Sequence, residues 1–322
     1  MASQTTVNGD MIIYNDLAQT AYLERIQDRL EIFNANSAGA IGLTSEAIIG
    51  DLVQRAFYKI GGSIEHRDVN STAGVNTKKI GSDEMVGVKA PWKYGPYATT
   101  EEAFKRRGRT PTEFSSLIGI DMADSVMEGW VEYALKSVEA AIRSNAAMVV
   151  EGNIATEGKK VLTKGLRKMG DKFANVAIWV MESGTYFDVV DQAIDNKVFE
   201  EAGVVIYGGT PGTLGKPVLV TDKCPANLIF GLQGGAVTVT ESQAPGVRSW
   251  PINDQENLAI GFRSEGVVNV EVLGYSWKNK STTNPTMAQL GTATNWTKYA
   301  DSNKVTAGFI IDLTEEDPVV GE

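Results

Sequence analysis

One long amphipathic segment, residues 115–151, constrains the fold of this chain more than any other part of its sequence. Directly before it, Thr110 can cap a helix, Pro111 suits the first helical position and Glu113 can reach back to the cap. Apolar residues then recur at helical spacing, with charged residues on the opposite face. The pattern predicts a helix over about 111–150, and a run of about 30 residues would be roughly 45 Å long. Its apolar face comprises Ala123, Met127, Trp130, Ala134, Val138, Ala141 and Ile142.

The remaining predicted elements are shorter, and helices precede strands along the chain. Apolar spacing predicts helices over residues 16–33 and 44–60. In the second half, the apolar run VAIWVM predicts a strand at Val176–Met181, and residues 183–196 then have the pattern of an amphipathic helix. Further short strands are predicted at residues 203–209, 217–221, 227–233, 236–241, 258–262, 267–277 and 307–313. This order is typical of the α+β class.

A polar run, residues 59–96, separates the second predicted helix from the long one. It contains three islands of strand-forming residues, at 63–69, 85–90 and 92–94, with a Gly/Asn/Ser/Thr-rich stretch between the first two. Structureless loops of this length are uncommon in compact domains and are usually functional or disordered. We therefore predict a long hairpin arm. The arm also holds His66, the only histidine of the chain.

Composition excludes several classes of protein. With 43% hydrophobic residues, the 322-residue chain can bury a sizeable core, so global disorder is not expected. A net charge of −10 argues against wrapping nucleic acid with the whole surface, because DNA affinity comes from neutralising phosphates. A single Cys and a single His exclude a disulfide framework and an ordinary zinc site. No apolar run is long enough to span a membrane, and the N-terminus lacks the pattern of a signal peptide.

Individual motifs give no catalytic signature. The stretch GGTPGTLGKP, residues 208–217, resembles a phosphate-binding loop, but Thr210 replaces a required glycine and Pro217 the hydroxyl residue, which favours a surface loop. His66 has no nucleophile motif to serve. Cys224 precedes a proline between two predicted strands and is interpreted as a buried or turn cysteine. A carboxylate pair for glycoside hydrolysis stays open, because 40 acidic residues always allow some pair. The sequence singles out none of these pairs.

The densest positive cluster is the stretch KRRGR, which starts at Lys105. Nucleic-acid binding would favour neighbouring aromatic residues and a basic surrounding face, whereas acidic residues precede this cluster and only Phe104 is adjacent. We interpret the cluster as a salt-bridge patch, within one subunit or between subunits, with direct nucleic-acid contact as the alternative. A globular chain of this length without catalytic motifs favours a structural protein.

Three passages together carry a resemblance to a known family. They are GPYATTEEAFKRRGRTPTEFSSLIGIDMA at 95–123, GKPVLVTDKCP at 215–225 and GYSWKNKSTTNPTMAQLGTATNWTK at 274–298. In this order, and around the long helix, they resemble the major capsid proteins of tailed bacteriophages, whose fold is also found in encapsulin shells. The resemblance extends over essentially the whole chain.

The resemblance implies an α+β capsid fold with four parts. These are an N-terminal arm with short helices at 1–60, an extended β-hairpin loop at 61–98, a peripheral domain at 99–175 and 265–322 with its spine helix at about 111–150, and a mixed α/β axial domain at 176–264. The arm begins almost at Met1, so we expect either a separate scaffold protein or an already mature sequence.

The resemblance also implies a function. The chain would self-assemble, in the host cytoplasm, into the icosahedral capsid shell that encloses the double-stranded DNA genome in the virion. Its partners would be further copies in pentamers and hexamers, a scaffold, a portal, a decoration protein and packaged DNA, bound on the inner face without sequence specificity. No enzymatic activity, cofactor, metal or membrane contact is expected. Candidate intersubunit residues are Lys78 and Lys79 at the loop tip, and Lys105, Arg106, Arg107 and Arg109 at its base.

Three other functions stay open from the sequence. They are an encapsulin-type compartment shell, a carboxylate-based hydrolase, and a tail or decoration component. Closed particles would support the shell, whereas a discrete monomer with a deep acidic pocket would support the hydrolase.

Overall fold

The computed structural model describes residues 15–46, 50, 52–59, 66–72, 74, 81–100, 102, 106, 111–195, 199–201, 204–206, 214–252, 254 and 256–313. Its helices are α1 (Asn15–Asn36), α2 (Pro111–Arg143), α3 (Ile154–Glu157), α4 (Lys160–Met169), α5 (Ser183–Asp195) and α6 (Met287–Leu290). Its strands are β1 (Ile41–Ser45), β2 (Leu52–Lys59), β3 (Gly81–Thr100), β4 (Val149–Glu151), β5 (Val176–Met181), β6 (Phe199–Glu201), β7 (Val204–Ile206), β8 (Val218–Val220), β9 (Leu228–Gln233), β10 (Val237–Ile252), β11 (Ala259–Val272), β12 (Tyr275–Trp277), β13 (Trp296–Lys298) and β14 (Gly308–Asp312).

Two five-stranded sheets organise these strands. The first, which we call the long sheet, has the order β1-β10-β11-β3-β2. In it β1 is parallel to β10, and the other neighbours are antiparallel. The second sheet has the order β4-β14-β9-β5-β8, with parallel pairs at both edges and antiparallel pairs at its centre. Each sheet therefore joins segments that lie far apart in the sequence.

Helix α2 connects the two sheets, because it packs against strands of both and against helix α1. Its apolar face is buried along most of its length, and Trp130 and Leu135 are almost fully inaccessible to solvent. At its C-terminal end, Arg143 binds Glu139 one turn earlier and Asp312 of β14, with nitrogen–oxygen distances of 2.9 and 3.0 Å. These contacts tie the end of α2 to the second sheet.

Helix α1 crosses α2 at a glycine. A Cβ atom on Gly119 would press against the carbonyl oxygen of Ala18 and would lie 2.9 Å from the Cβ of Ala21, closer than side chains normally approach. Beside the crossing, Arg25 of α1 donates to the carboxylate of Asp124 on α2 over 3.2 Å. The missing side chain lets the two helix backbones touch, and the ion pair then orients α1.

Phe309 of β14 occupies the core between the second sheet and helix α4. Its ring lies where a Cβ atom would stand on Gly231 of β9 and on Gly165 of α4. Trp179 of β5 meets the same ring edge-on, with the ring centroids 5.8 Å apart. This close contact fixes the rotation of α4 about its own axis on the sheet.

Most of the predicted elements are present. The helix predicted at 16–33 is α1, the predicted strand at Val176–Met181 is β5, and the helix predicted at 183–196 is α5. Strands β7 to β12 and β14 lie within or overlap the short strands predicted in the second half. The α+β class is confirmed.

The long helix is confirmed, but it is shorter than predicted. It begins at Pro111 and ends at Arg143 rather than near residue 150. Of the apolar residues after it, Ala146–Met148 form one turn of 3-10 helix, and Val149 and Val150 belong to β4, which pairs in parallel with β14. On its charged face, Glu139 and Arg143 form an ion pair one turn apart, whereas the predicted cap, Thr110, lies outside the described residues.

The helix predicted over residues 44–60 is wrong. The described parts of this segment belong to β1 and β2. Strand β2 pairs with β3 residue by residue, from Leu52 opposite Val88 to Lys59 opposite Gly81. The local apolar spacing fits a helix, but pairing with a strand later in the chain satisfies the backbone instead.

The hairpin arm is present with a different first strand. The islands predicted at 85–90 and 92–94 both lie in β3. Within the island predicted at 63–69, residues 66–69 are not in a strand and residues 63–65 lie outside the described residues. The strand that pairs with β3 is β2, which lies immediately before the predicted arm.

Replacing Gly119 by Ala tests the helix crossing. Because the added methyl group would collide with α1, we expect Gly119→Ala to lower the free energy of unfolding by about 1–3 kcal/mol in urea denaturation. Gly129→Ala is the matched control, since a Cβ on Gly129 of the same helix would meet no atom within 4 Å. The control should leave stability unchanged or raise it by up to about 1 kcal/mol. Equal effects of the two substitutions would contradict the close crossing.

Candidate assembly surfaces

A two-stranded ribbon extends past the end of the long sheet. Strand β11 pairs with β3 only from Val88 to Thr100. Residues 81–87 of β3 therefore have β2 as their only strand partner among the described strands. We call residues 52–59 and 81–87 the ribbon. Seven residues in a strand span roughly 24 Å. Gly87 still lies beside Glu271 of β11, so the ribbon extends past its sheet by less than this length.

The base of the ribbon is held by the rest of the chain. Ser276 of β12 is buried; its hydroxyl oxygen accepts from the backbone N–H of Val86 over 2.9 Å and its hydroxyl group donates to the carbonyl of Glu84 over 3.3 Å. Lys280 also binds the Glu84 carboxylate over 2.6 Å, and both of these side chains are about half exposed. An exposed pair contributes at most about 1 kcal/mol, whereas a buried N–H left unpaired costs about 1–3 kcal/mol. Ser276 is therefore the stronger anchor.

Two tryptophans, one of them next to Ser276 in the sequence, support this anchor. Trp277 of β12 and Trp296 of β13 are both buried and meet edge-to-face, with ring centroids 5.3 Å apart. The indole N–H of Trp296 donates to the carbonyl of Leu290, and that of Trp277 donates to the carbonyl of Asn279. Satisfied donors and mutual packing make this unit a rigid support. A cleft of about 600 Å³ lies between it and the ribbon base.

The outer edge of the ribbon is formed by β2, whose one pairing partner among the described strands is β3. Strand β2 lies at the edge of the long sheet, and its residues Gln54, Arg55 and Ala56 are exposed. Arg55 lies 3.5 Å from the carboxylate of Glu271, which is a contact within the chain. An exposed strand edge presents unpaired N–H and C=O groups, which another chain can bind.

A second surface lies at the opposite end of the long sheet. Tyr97, Leu258 and Trp250 are exposed there by 57%, 47% and 37%, so apolar area faces solvent. Beside Tyr97, Tyr94 donates its hydroxyl hydrogen to Asp121 of α2. Partial burial, together with that carboxylate, raises the pKa of Tyr94 above its usual range. The tyrosine therefore stays protonated and holds β3 against α2.

The predicted contact residues are only partly described. Arg106 is exposed and binds Glu102 four residues earlier over 2.9 Å, as expected of a salt-bridge patch within one subunit. The other five predicted contact residues lie outside the described residues. They are Lys78, Lys79, Lys105, Arg107 and Arg109.

His66 and Cys224, which the sequence analysis considered for catalysis, lie in different environments. His66 is exposed. Cys224 is buried as predicted, and burial raises the pKa of its thiol to about 12. Within the described ranges, no group of three or more His, Cys, Asp or Glu side chains is arranged to hold a metal ion. None of the described helices is both long and apolar enough to cross a membrane.

A buried carboxylate joins α1 to the long sheet, and sequence reasoning missed it. Glu241 of β10 is 1% exposed and accepts from the hydroxyl of Tyr22 over 2.8 Å and from that of Ser45 over 3.2 Å. Burial raises the pKa of Glu241. The alternation of residues along β10 could have predicted that Glu241 is buried, because Val237, Val239 and Glu241 lie on one face of the strand.

Solved capsid structures share this fold at low sequence identity. The structure described as Mycobacterium phage Adephagia matches 88% of this chain and 90% of its own, at 12% identity and a TM-score of 0.50. The mature capsid of bacteriophage PhiM1 matches 87% of each chain at 10% identity and a TM-score of 0.50. The capsid of an empty GTA particle, computed with C5 symmetry, matches 71% of this chain and 90% of its own at 15% identity and a TM-score of 0.51. The fold is therefore of the phage-capsid type.

The sequence itself defines the family. Residues 10–310 match the family described as Gp13-like, major capsid protein 13-like. The chain therefore belongs to the major capsid protein 13-like family, and it is a structural subunit of a phage capsid shell. This confirms the resemblance seen in the three sequence passages and does not favour the compartment-shell or hydrolase alternatives. No curated protein matches the sequence.

Replacing Glu241 by Gln tests the buried carboxylate. The native state raises its pKa above the unfolded value of about 4.3, so native Glu241 holds its proton more tightly than the unfolded chain does. The free energy of unfolding should then fall as pH rises from about 4.3 through the raised native pKa. Glu241→Gln mimics the protonated carboxyl and should lack this fall.

Urea midpoints between pH 4.5 and pH 7.5 measure the difference. The gain in stability of Glu241→Gln over the wild type should grow with pH. Glu24→Gln, at an exposed position of α1, removes the same charge and should give a profile parallel to the wild type. A Glu241→Gln profile that also runs parallel to the wild type would contradict a raised pKa.

Proposed function

We propose that this subunit self-assembles, as pentamers and hexamers, into a closed icosahedral shell around a double-stranded DNA genome. The observation that carries this proposal is the ribbon. An isolated two-stranded hairpin is marginal in water, and the anchors described for this ribbon lie at Val86 and Glu84. A neighbouring subunit would add contacts that stabilise the ribbon in the assembled shell. Arms that overlap neighbours also enlarge contacts beyond what flat edges provide.

The proposed domain division follows the expectation from sequence, with three changes. The extended loop would start at Leu52 rather than at residue 61, because β2 is the strand that pairs with β3. Strands β4 and β14 would join the axial domain, because both belong to the second sheet. Strand β10 would leave the axial domain, because it pairs with β1 and β11 in the long sheet. Helix α2 would serve as the spine of the peripheral domain.

Charge supports the proposed contact residues. Each copy carries a net charge of −10, so basic side chains at a contact would meet an acidic neighbour. We assign this role to Lys78 and Lys79 at the loop tip and to the cluster Lys105, Arg106, Arg107 and Arg109. The exposed acidic residues Glu24, Asp28 and Glu31 of α1 are candidates for their partners.

The remaining partners follow from the family. A separate scaffold, a portal and a decoration protein would act with the shell, and assembly would take place in the host cytoplasm before the virion is complete. The subunit would have no enzymatic activity and no cofactor, which agrees with a sequence that carries no catalytic signature. Packaged DNA would meet the inner face without being read for sequence.

Removing the loop tip tests the role of the arm. Because Lys59 lies opposite Gly81 in the antiparallel register, an Asn-Gly turn can join these two residues directly. We expect this variant to keep the wild-type circular dichroism spectrum and urea midpoint but to form at least tenfold fewer closed particles in negative-stain electron microscopy. His66→Ala is the matched control within the arm and should assemble as the wild type does. Normal shells from the shortened variant would contradict the proposal, and an unfolded variant would place the tip in the core.

A further inference from the structure

Helix α4 carries a strongly basic face on an acidic protein. Residues 159–172 contain six Lys or Arg residues and one Asp, a local net charge of +5 in a chain whose net charge is −10. Four of these basic residues are exposed, and we call them the α4 basic face. They are Lys160, Arg167 and Lys168 of α4, together with Lys172 in the 3-10 turn that follows it. This face is richer in charge than the described part of the KRRGR cluster.

The fold fixes the direction of this face. The opposite side of α4 is buried through Val161, Leu162, Gly165 and Met169. Gly165 lies against the ring of Phe309, so the helix cannot rotate without a collision. The basic side chains are therefore held on the outside of the second sheet.

Nearby acidic groups do not neutralise the face. Glu157 binds Lys164, and Asp171 binds Lys304 over 2.6 Å. The contact with Lys304 lowers the pKa of Asp171, so this carboxylate is already charged and paired. Among the described residues, none of the four members of the α4 basic face lies within 4 Å of a carboxylate oxygen.

We propose that the α4 basic face binds the phosphate backbone of double-stranded DNA without reading its sequence. The inference rests on the proposed function, since a shell around a genome meets DNA at its inner surface. A helix of ten residues is about 15 Å long, and duplex DNA carries roughly nine phosphate charges over that length. Lysine and arginine at one face of such a helix can neutralise several phosphates at once.

The composition of the face favours DNA over a second copy of the chain. Lysine is depleted in protein–protein interfaces, where aromatic residues are enriched. Within α4, every exposed residue is a Lys or an Arg. Neutralisation of phosphates needs no apolar anchor, and it supplies essentially all of non-specific DNA affinity. The overall acidity of the chain would then confine DNA contact to this face.

The test measures DNA affinity of the purified, unassembled chain. A fluorescently labelled 30-base-pair duplex is titrated at salt concentrations between 50 and 200 mM, with fluorescence anisotropy as the readout. We expect K160Q/R167Q/K168Q to raise Kd at least tenfold at 50 mM salt. The slope of log K against log salt should become shallower by about 3, near 0.9 for each phosphate that is no longer neutralised.

The control removes the same charge elsewhere. K93Q/R248Q/K278Q neutralises three exposed basic residues outside α4 and should bind as the wild type does. Wild-type chain that fails to bind at 50 mM salt, or equal losses in both variants, would overturn the inference. Unchanged DNA affinity with loss of particles in K160Q/R167Q/K168Q would overturn it in favour of a contact between copies. Electron microscopy of the same preparations measures shell assembly separately. A failure of the proposed shell function can therefore be distinguished from a failure of DNA binding.

Discussion

Helix α2 packs against α1, both five-stranded sheets and the β12-β13 unit, so its position decides where each of them lies. Its 33 residues span about 50 Å, and its apolar face is buried along most of that length. At one end Gly119 allows contact with α1, and at the other Arg143 binds Asp312 of the second sheet. A rigid rod with fixed contacts at both ends suits a subunit that must keep its shape while its neighbours bind to it.

The ribbon depends on this frame. Helix α2 supports the β12-β13 unit, and that unit supports the ribbon through Ser276 and the paired tryptophans. Buried hydrogen bonds hold the base, whereas the exposed edge of β2 stays available to another chain. The fold therefore stabilises the base of the arm within the subunit, and the outer part of the arm is the part that we propose contacts a neighbouring subunit.

The sequence predicted the parts of the fold whose signal is local. Helix α2 was predictable because its apolar period persists over some 30 residues. Strand β5 and helix α5 were predictable because a short apolar run is followed by an amphipathic segment. The prediction of a helix at 44–60 was wrong, because the segment is short and its pairing with β3 overrides its local preference for a helix. The ribbon anchor was not predictable, since Val86 and Ser276 are 190 residues apart in the chain. The intersubunit residues Lys78 and Lys79 stay predictions from the resemblance.

The central claim is that the ribbon lies on a neighbouring subunit, and a cryo-electron-microscopy reconstruction of assembled particles tests it most directly. The account predicts continuous density for residues 52–59 and 81–87, with side chains such as Arg55 and Gln54 in contact with the adjacent subunit. Density that places the ribbon in solvent, or folds it back on its own subunit without touching a neighbour, would contradict the account.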